Sequence, residues 1–191
     1  MIRILLALAI LSAPVAAQSI RDPDSIRLGE FDAALGRVLK GAFAEGAPAD
    51  TAILTEVLAG PAGPIAPEGD WNCRTLKLGR ILPLTVYGDF RCRITADGPN
   101  RWRLEKLTGS QRTAGTILRE EEVAVYLGVG YVDGGPAVDY AGLPAGDQTP
   151  VEPGQTHAQI GIFEQMDPNR ARLLLPAPIL ESDFDILYLT R

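Results

Sequence analysis

Residues 71 to 94 read WNCRTLKLGRILPLTVYGDFRCRI and carry the strongest structural signal in the chain. From Leu84 to Ile94, apolar and polar residues alternate, which is typical of a strand with one face in a core and the other in water. In the preceding segment, the apolar residues change from odd to even positions after Cys73. The stretch therefore predicts an antiparallel β-hairpin with a β-bulge near Arg74 and Thr75.

The hairpin contains both cysteines of the chain, Cys73 and Cys92. If it turns near Leu82-Pro83, a register in which paired residue numbers add up to 165 places the two cysteines opposite each other. Trp71 and Ile94 then lie on the same face. In an exported chain we expect a Cys73–Cys92 disulfide, contributing ~3 kcal/mol to stability. A redox-active thiol pair is the alternative, although the sequence has no Cys-x-x-Cys motif.

The first residues, MIRILLALAILSAPVAAQS, indicate export. Arg3 precedes the apolar run 4–11, and Val15 and Ala17 stand at the minus-three and minus-one positions of a cleavage site, as in a secretory signal peptide. We expect a signal peptide over residues 1–17 and a periplasmic or secreted protein, with an uncleaved N-terminal anchor as the alternative. No later segment approaches ~20 continuous apolar residues, so no transmembrane segment is expected in the mature chain.

Two helices are expected in an N-terminal helical segment over residues 18–60. Apolar residues at helical spacing predict the first from Ser25, as its N-cap, to Gly46. The second is expected over about residues 50–58, before a Pro/Gly linker at 61–70 that cannot continue a helix.

The rest of the chain, residues 71–191, has the period of two that strands require. Beyond the hairpin, strands are expected at about 101–107, 111–118, 123–132, 157–165, 170–176 and 184–190. Eight evenly spaced strands favour a mainly β fold: an antiparallel up-and-down barrel or curled sheet, preceded by two helices. A two-layer β-sandwich is the alternative. Residues 18–191 should form one globular unit.

Residues 133–156 form one long connection without periodicity, and connections of this length are either functional or poorly ordered. In an up-and-down barrel it shares one rim with the turn at 80–83, the turn at 109–112 and the connection at 177–183. The candidate binding residues at this rim are Gln111, Arg112, Tyr140 and His157. The alternatives are that Gln111 and Arg112 fix the long loop by hydrogen bonds to its carbonyls, that the histidine is structural or exposed, and that Tyr140 is a core or loop anchor.

Charge is unevenly distributed along a chain whose formal net charge is -6. Residues 71–119 hold ten basic and three acidic residues, so the remainder is strongly acidic. A hairpin through residues 96–100 places Arg103 opposite Arg93 and forms an outward cluster of Arg91, Arg93, Arg101 and Arg103. Either acids such as Glu105, Glu120–Glu122 or the acidic helices neutralise this cluster, or it binds an anionic glycan, lipid head groups or an envelope protein. Nucleic acid suits neither the acidic chain nor an exported one.

Chemistry-bearing motifs are absent. One histidine and two cysteines leave no His/Cys zinc cage, and no GxSxG, P-loop, HExxH, EF-hand or GxGxxG pattern occurs in a suitable setting. Asp183 and Asp185 alternate in the last strand and are expected on a solvated face. We therefore predict no catalytic residue, no cofactor and no metal.

Four stretches, CRTLKLG (73–79), VYGDFRCRI (86–94), LEKLTGSQRTAG (104–115) and LPAPILES (175–182), resemble the exported bacterial family known as domain of unknown function 4893. The resemblance covers most of the mature chain and implies no activity. It implies that the family pattern includes Cys73, Cys92, Gly109, Ser110, Gln111, Arg112 and Gly115. Independently, Gly109 permits a tight turn, and Gly115 lets a backbone or a bulky ring approach closely.

These features predict an exported, non-enzymatic envelope domain that binds a small molecule, an anionic glycan or a protein. The alternative is a hydrolase or a protease inhibitor that uses the rim of the 133–156 loop. An enzyme needs convergent polar groups with perturbed pKa values in a pocket, here Arg112, His157 and an acid from the loop. A small-molecule binder would show an apolar cavity.

Overall fold

The structure is a computed structural model that describes residues 19–135, 138–151 and 154–191. Within these ranges, three helices precede eight antiparallel strands that pair in chain order and close into a barrel. The helices are α1 (Asp22–Gly29), α2 (Phe31–Glu45) and α3 (Pro48–Leu58). The strands are β1 (Gly69–Gly79), β2 (Leu82–Gly98), β3 (Arg101–Lys106), β4 (Gln111–Glu120), β5 (Val123–Val132), β6 (His157–Asp167), β7 (Arg170–Pro176) and β8 (Phe184–Thr190). The mainly β, eight-stranded up-and-down barrel is confirmed, whereas the predicted signal peptide lies outside the described residues.

From residue 19, where the described N-terminal segment begins, the structure has three helices rather than the predicted two. The expected single helix from Ser25 is divided, because α1 ends at Gly29 and α2 begins at Phe31. Glycine has low helix propensity, which suits a break at this point. Ser25 is not the N-cap, since α1 begins at Asp22 with a proline in its first turn, where a missing N–H costs nothing.

One half of the barrel interior is filled with apolar side chains. They come from the strand ends near the β2–β3, β4–β5 and β6–β7 turns. They include Trp71, Cys73, Cys92, Ile94, Trp102, Leu104, Ile117, Tyr126, Phe163, Leu173, Leu187 and Leu189. Each of these side chains is at most 8% exposed, so they fill this half of the described barrel as a packed core.

The outer wall of β1, β2, β7 and β8 is covered by α2 and α3. Leu76 and Leu78 pack outward under these helices, which explains why the apolar residues of β1 change parity. The predicted bulge is confirmed as a register shift between Arg74 and Leu76, but the extra residue lies in β2. Consequently Leu84 packs against the helices while Cys92 faces the interior, and the predicted single apolar face of β2 is wrong.

The Cys73–Cys92 disulfide is present, with a Cα–Cα distance of 5.9 Å. The predicted register is wrong by two residues, because Trp71 pairs with Cys92 and Cys73 with Phe90. A shift of two preserves the face of every side chain, so both cysteines still lie inside, diagonally across the strand pair.

Helix α1 fastens the long β5–β6 connection to the outer wall of the barrel. The Asp24 carboxylate is fully buried and accepts hydrogen bonds from the Arg27 guanidinium and the Tyr140 hydroxyl, each at 2.5 Å. Arg27 also donates to the carbonyl of Ala158 in β6, at 3.3 Å. The loop is thus held beside the barrel wall through Tyr140.

Candidate functional site

The other half of the barrel interior is polar and opens at the end formed by the β1–β2, β3–β4, β5–β6 and β7–β8 connections. We call this region the mouth. Its side chains are those of Lys77, Tyr87, Phe90, Lys106, Gln111, Arg112, Thr113, His157, Gln159, Glu181 and Asp185. They line two small cavities of about 40 and 50 Å³ and an open pocket of about 290 Å³.

The floor of the mouth is a set of hydrogen-bonded side chains above the apolar half. The Thr113 hydroxyl lies 2.7 Å from the Tyr126 hydroxyl and also bonds the side-chain oxygen of Gln159. Burial raises the pKa of Tyr126, so its hydroxyl stays protonated. At Gly115, a Cβ atom would lie 2.7 Å from the Tyr126 ring, which confirms the predicted close approach of a bulky ring.

Lys106 is the least compensated charge in the mouth. It is only 7% exposed, its ammonium lies 3.9 Å from the centroid of the Phe90 ring, and it donates to the Gln111 carbonyl at 2.9 Å. No carboxylate of the described residues lies within 4.0 Å of it. Burial, together with the positive charges of Arg112 and Lys77, lowers its pKa to about 8. Buried groups with such shifts in a pocket are candidates for function.

Lys77 takes part in a paired network across the mouth. Its ammonium bonds the Gln111 side-chain oxygen at 2.8 Å and forms an ion pair with Glu181. The Gln111 amide donates to Glu181 at 3.0 Å. These hydrogen bonds hold the pKa of Glu181 below its usual value. The network joins β1, β4 and the β7–β8 connection, so it fixes the shape of the opening.

Asp185 is buried inside the mouth, so its predicted place on a solvated strand face is wrong. It is 7% exposed and accepts a hydrogen bond from the Ser182 hydroxyl at 2.6 Å. Burial raises its pKa to about 6 despite that bond. Asp183, the other member of the pair, lies at the surface with Arg80, 3.3 Å away.

The structure brings together three of the four predicted rim residues. Gln111, Arg112 and His157 line the 40 Å³ cavity. Tyr140 lies apart from them on the outer wall, where its hydroxyl donates to Asp24. This position is that of an anchor, the alternative predicted for Tyr140, and not that of a rim residue. Arg112 contacts the long loop through the carboxylate of Asp133, 3.0 Å away, whereas the alternative role predicted hydrogen bonds to loop carbonyls.

His157 is held by the backbone rather than by an acid. Its Nδ1 atom lies 2.8 Å from the Gln155 carbonyl oxygen, and burial lowers its pKa. The neutral ring fits because β5 has glycine opposite it: a Cβ at Gly130 would lie 2.5 Å from the ring.

Sequence reasoning missed Lys77, Lys106 and Asp185. The parity of β3 contained the signal for Lys106, since Trp102 and Leu104 face inward and Lys106 continues the same alternation. A lysine at an inward position marks the point where the interior becomes polar.

The predicted cluster of Arg91, Arg93, Arg101 and Arg103 lies on an outer wall of mixed charge. Its predicted pairing is wrong, because Arg93 pairs with Glu105 and Arg103 with Thr95. Three of these arginines contact acids: Arg93–Asp70 at 2.7 Å, Arg101–Asp97 at 2.7 Å, and Arg103 with Glu105 and Asp139 at 3.4 Å each. Exposed pairs of this kind contribute little stability, but they reduce the positive potential that an anionic partner would meet.

Within the described ranges, no group of three or more His, Cys, Asp or Glu side chains has a metal-binding arrangement. In the same part of the chain, no helix has the length and apolar character to cross a bilayer.

The fold and the site define a small up-and-down β-barrel with a solid apolar half and a polar, partly basic mouth. The chain belongs to the family described as Domain of unknown function (DUF4893), whose model matches residues 17–189. A search of curated proteins and a search of solved structures each found no match.

Proposed function

We propose that this chain is an exported binding protein that holds a small anionic ligand in the mouth of its barrel. The observation that carries the proposal is Lys106, a buried ammonium without a carboxylate partner among the described residues, beside an open pocket of about 290 Å³. A buried unpaired charge is expensive, and an anionic ligand would offset that cost.

The mouth also suggests the size and character of the ligand. A pocket of about 290 Å³ is at the lower end of the range for small-molecule sites. Tyr87 and Phe90 supply aromatic surface, and the ammonium of Lys106 supplies the charge. The solid half of the interior argues against a large apolar ligand, so a small carboxylate with a planar apolar part fits best.

The hydrolase alternative receives less support from the same contacts. His157 bonds a backbone carbonyl through Nδ1, whereas a general base of a hydrolase is oriented by a carboxylate and contacts a nucleophile.

Export remains part of the proposal and rests on the composition of residues 1–17. N-terminal sequencing of the protein recovered from a periplasmic fraction tests it, and a chain that retains Met1 would contradict it.

Binding is tested by titrating the mature chain with benzoate, following backbone amide resonances and, in parallel, heat release. We expect shifts concentrated on the β3–β4 connection and an affinity that falls at least tenfold in Lys106→Met, because one charge-assisted hydrogen bond contributes about 1.5–3 kcal/mol. Lys40→Met removes an exposed lysine of α2 and is the matched control, with unchanged affinity. Shifts confined to the outer wall, or equal affinities in both variants, would contradict the proposal.

A further inference from the structure

We propose that Lys106 captures small oxo acids covalently, as a reversible imine, within the mouth. This inference rests on the proposed function, since it places the carbonyl compound in the same pocket. It adds a chemical step that charge recognition alone does not need.

The surroundings of Lys106 are those of an amine kept available for reaction. The Phe90 ring lies 3.9 Å from Nζ, the Gln111 carbonyl accepts one N–H, and the open pocket gives access from outside. An ion pair would keep the amine protonated, and no described carboxylate forms one with Lys106. Burial and the charges of Arg112 and Lys77 outweigh the attraction of Asp185, so they favour the neutral amine, which is the nucleophile.

The lowered pKa enlarges the uncharged, nucleophilic fraction of Lys106. With a pKa of about 8, roughly a tenth of the Lys106 amines are uncharged at neutral pH. An ordinary lysine, with a pKa near 10.4, has fewer than about one in a thousand in that form.

The reaction balances without an oxidant or a reductant. The nitrogen lone pair attacks the carbonyl carbon, the carbonyl oxygen gains a proton and the amine loses one, which gives a carbinolamine. The C–O bond then breaks as the hydroxyl group takes up a proton and leaves as water, while the nitrogen lone pair forms the C=N bond and the nitrogen gives up its remaining proton. Asp185 lines the same cavity of about 50 Å³ as Lys106, and its raised pKa, about 6, lets it donate and accept protons near neutral pH.

The recognised class is a carbonyl compound that carries a carboxylate. Arg112 and Lys77 line the cavity beside Lys106, and their positive charges favour a carboxylate there, although each also forms an ion pair with an acid of the protein. The pocket volume limits the compound to a few carbon atoms or a single ring.

The chain offers a simple internal comparison, because its lysines are Lys40, Lys77 and Lys106. Lys40 is exposed on α2, and Lys77 is paired with Glu181. The mature protein is incubated at neutral pH with glyoxylate and sodium cyanoborohydride, which reduces an imine to a stable amine. Intact mass and peptide mapping then locate the adducts.

We expect Lys106 to be modified at least tenfold faster than Lys40 in the wild-type protein, so the result does not depend on a variant that folds poorly. Lys106→Arg should remove this fast adduct, and Lys40→Arg should retain it. Equal rates at Lys40 and Lys106, or no adduct at Lys106, would overturn the inference. If benzoate still binds in the mouth in that case, the proposed function stands without the covalent step; if benzoate also fails to bind, both are wrong.

Discussion

Asp185 lies at the boundary between the apolar and the polar half of the barrel interior. Its neighbours in β8 at the next inward positions, Leu187 and Leu189, are apolar and buried. The carboxyl group is therefore at the boundary, where one hydroxyl donor from Ser182 replaces water. Burial at this boundary disfavours the ionised form of the carboxyl group.

This boundary position predicts an unusual pH dependence. Because the pKa of Asp185 is about 6 in the folded chain and near 3.8 when unfolded, the folded state binds more protons between these values. The contribution of Asp185 to stability is therefore present at low pH and is lost as pH rises through 6. Asp185→Asn should raise the free energy of unfolding at pH 7 by about 1–3 kcal/mol.

Urea denaturation of the wild type and Asp185→Asn between pH 4 and 7.5 measures this difference. The two curves should converge towards pH 4. Asp183→Asn, which changes the exposed neighbour, is the matched control and should follow the wild type. If the free energies of unfolding of the wild type and Asp185→Asn changed identically with pH, the raised pKa of Asp185 would be refuted.

Gly115 makes a second residue-scale prediction. A Cβ there would lie 2.5 Å from the Leu127 carbonyl oxygen and 2.7 Å from the Tyr126 ring, and a backbone atom cannot easily move away. Gly115→Ala should therefore lower the free energy of unfolding by about 1–3 kcal/mol, as overpacking does. Gly88→Ala, where nothing lies within 4 Å, should change it much less. Thermal denaturation of both variants measures the difference. Similar losses of stability in Gly115→Ala and Gly88→Ala would contradict the prediction that a Cβ at Gly115 is crowded.

At the scale of the elements, local patterns in the sequence predicted the strands well because each strand alternates within itself. The number of helices and the registers were not predictable in the same way. The break at Gly29 depends on how α1 docks on β6. The β1–β2 register depends on a bulge: the alternation of apolar residues predicts where along the hairpin it lies, but not which of the two strands contains the extra residue. Both depend on contacts between distant segments.

The candidate site was predictable only in part for a similar reason. Gln111, Arg112 and His157 lie next to connections, so an assumed barrel topology brings them together. Asp185 resembled a residue of a solvated strand because nothing near it in sequence shows that its alternate face closes against other strands. Tyr140 was misplaced because its partner, Asp24, lies 116 residues away.

The contact between α1 and the long loop makes an element-scale prediction. Asp24→Ala leaves the Arg27 guanidinium buried without its carboxylate, which should lower the free energy of unfolding by about 3–5 kcal/mol. It should also speed hydrogen exchange of amides in residues 138–143, because the Tyr140 hydroxyl loses its acceptor. Asp22→Ala, an exposed acid in the same helical turn, is the control, and its effect should stay within about 1 kcal/mol. Equal effects of the two substitutions would show that the buried carboxylate does not fasten the loop.

At the scale of the whole molecule, the packed apolar half and the open polar half of the interior lie at opposite ends of the barrel. The solid half contains both tryptophans and the disulfide, and the mouth contains the buried charges Lys77, Lys106 and Asp185 and the two small cavities of about 40 and 50 Å³. The disulfide joins the first two strands of the barrel, and β1 also pairs with β8 to close it. The covalent link therefore constrains the hairpin on which closure depends.

Reducing the disulfide should lower the stability of the entire barrel. The bridge spans a sequence separation of 19 residues, and a crosslink of this size contributes about 3 kcal/mol by restricting the unfolded chain. Urea denaturation with and without reductant should show that difference. The double variant Cys73→Ala, Cys92→Ala should resemble the reduced protein and be insensitive to reductant. Because both cysteines pack in the solid half, benzoate binding at the mouth should persist in the folded double variant, and its loss would show that the two halves are coupled.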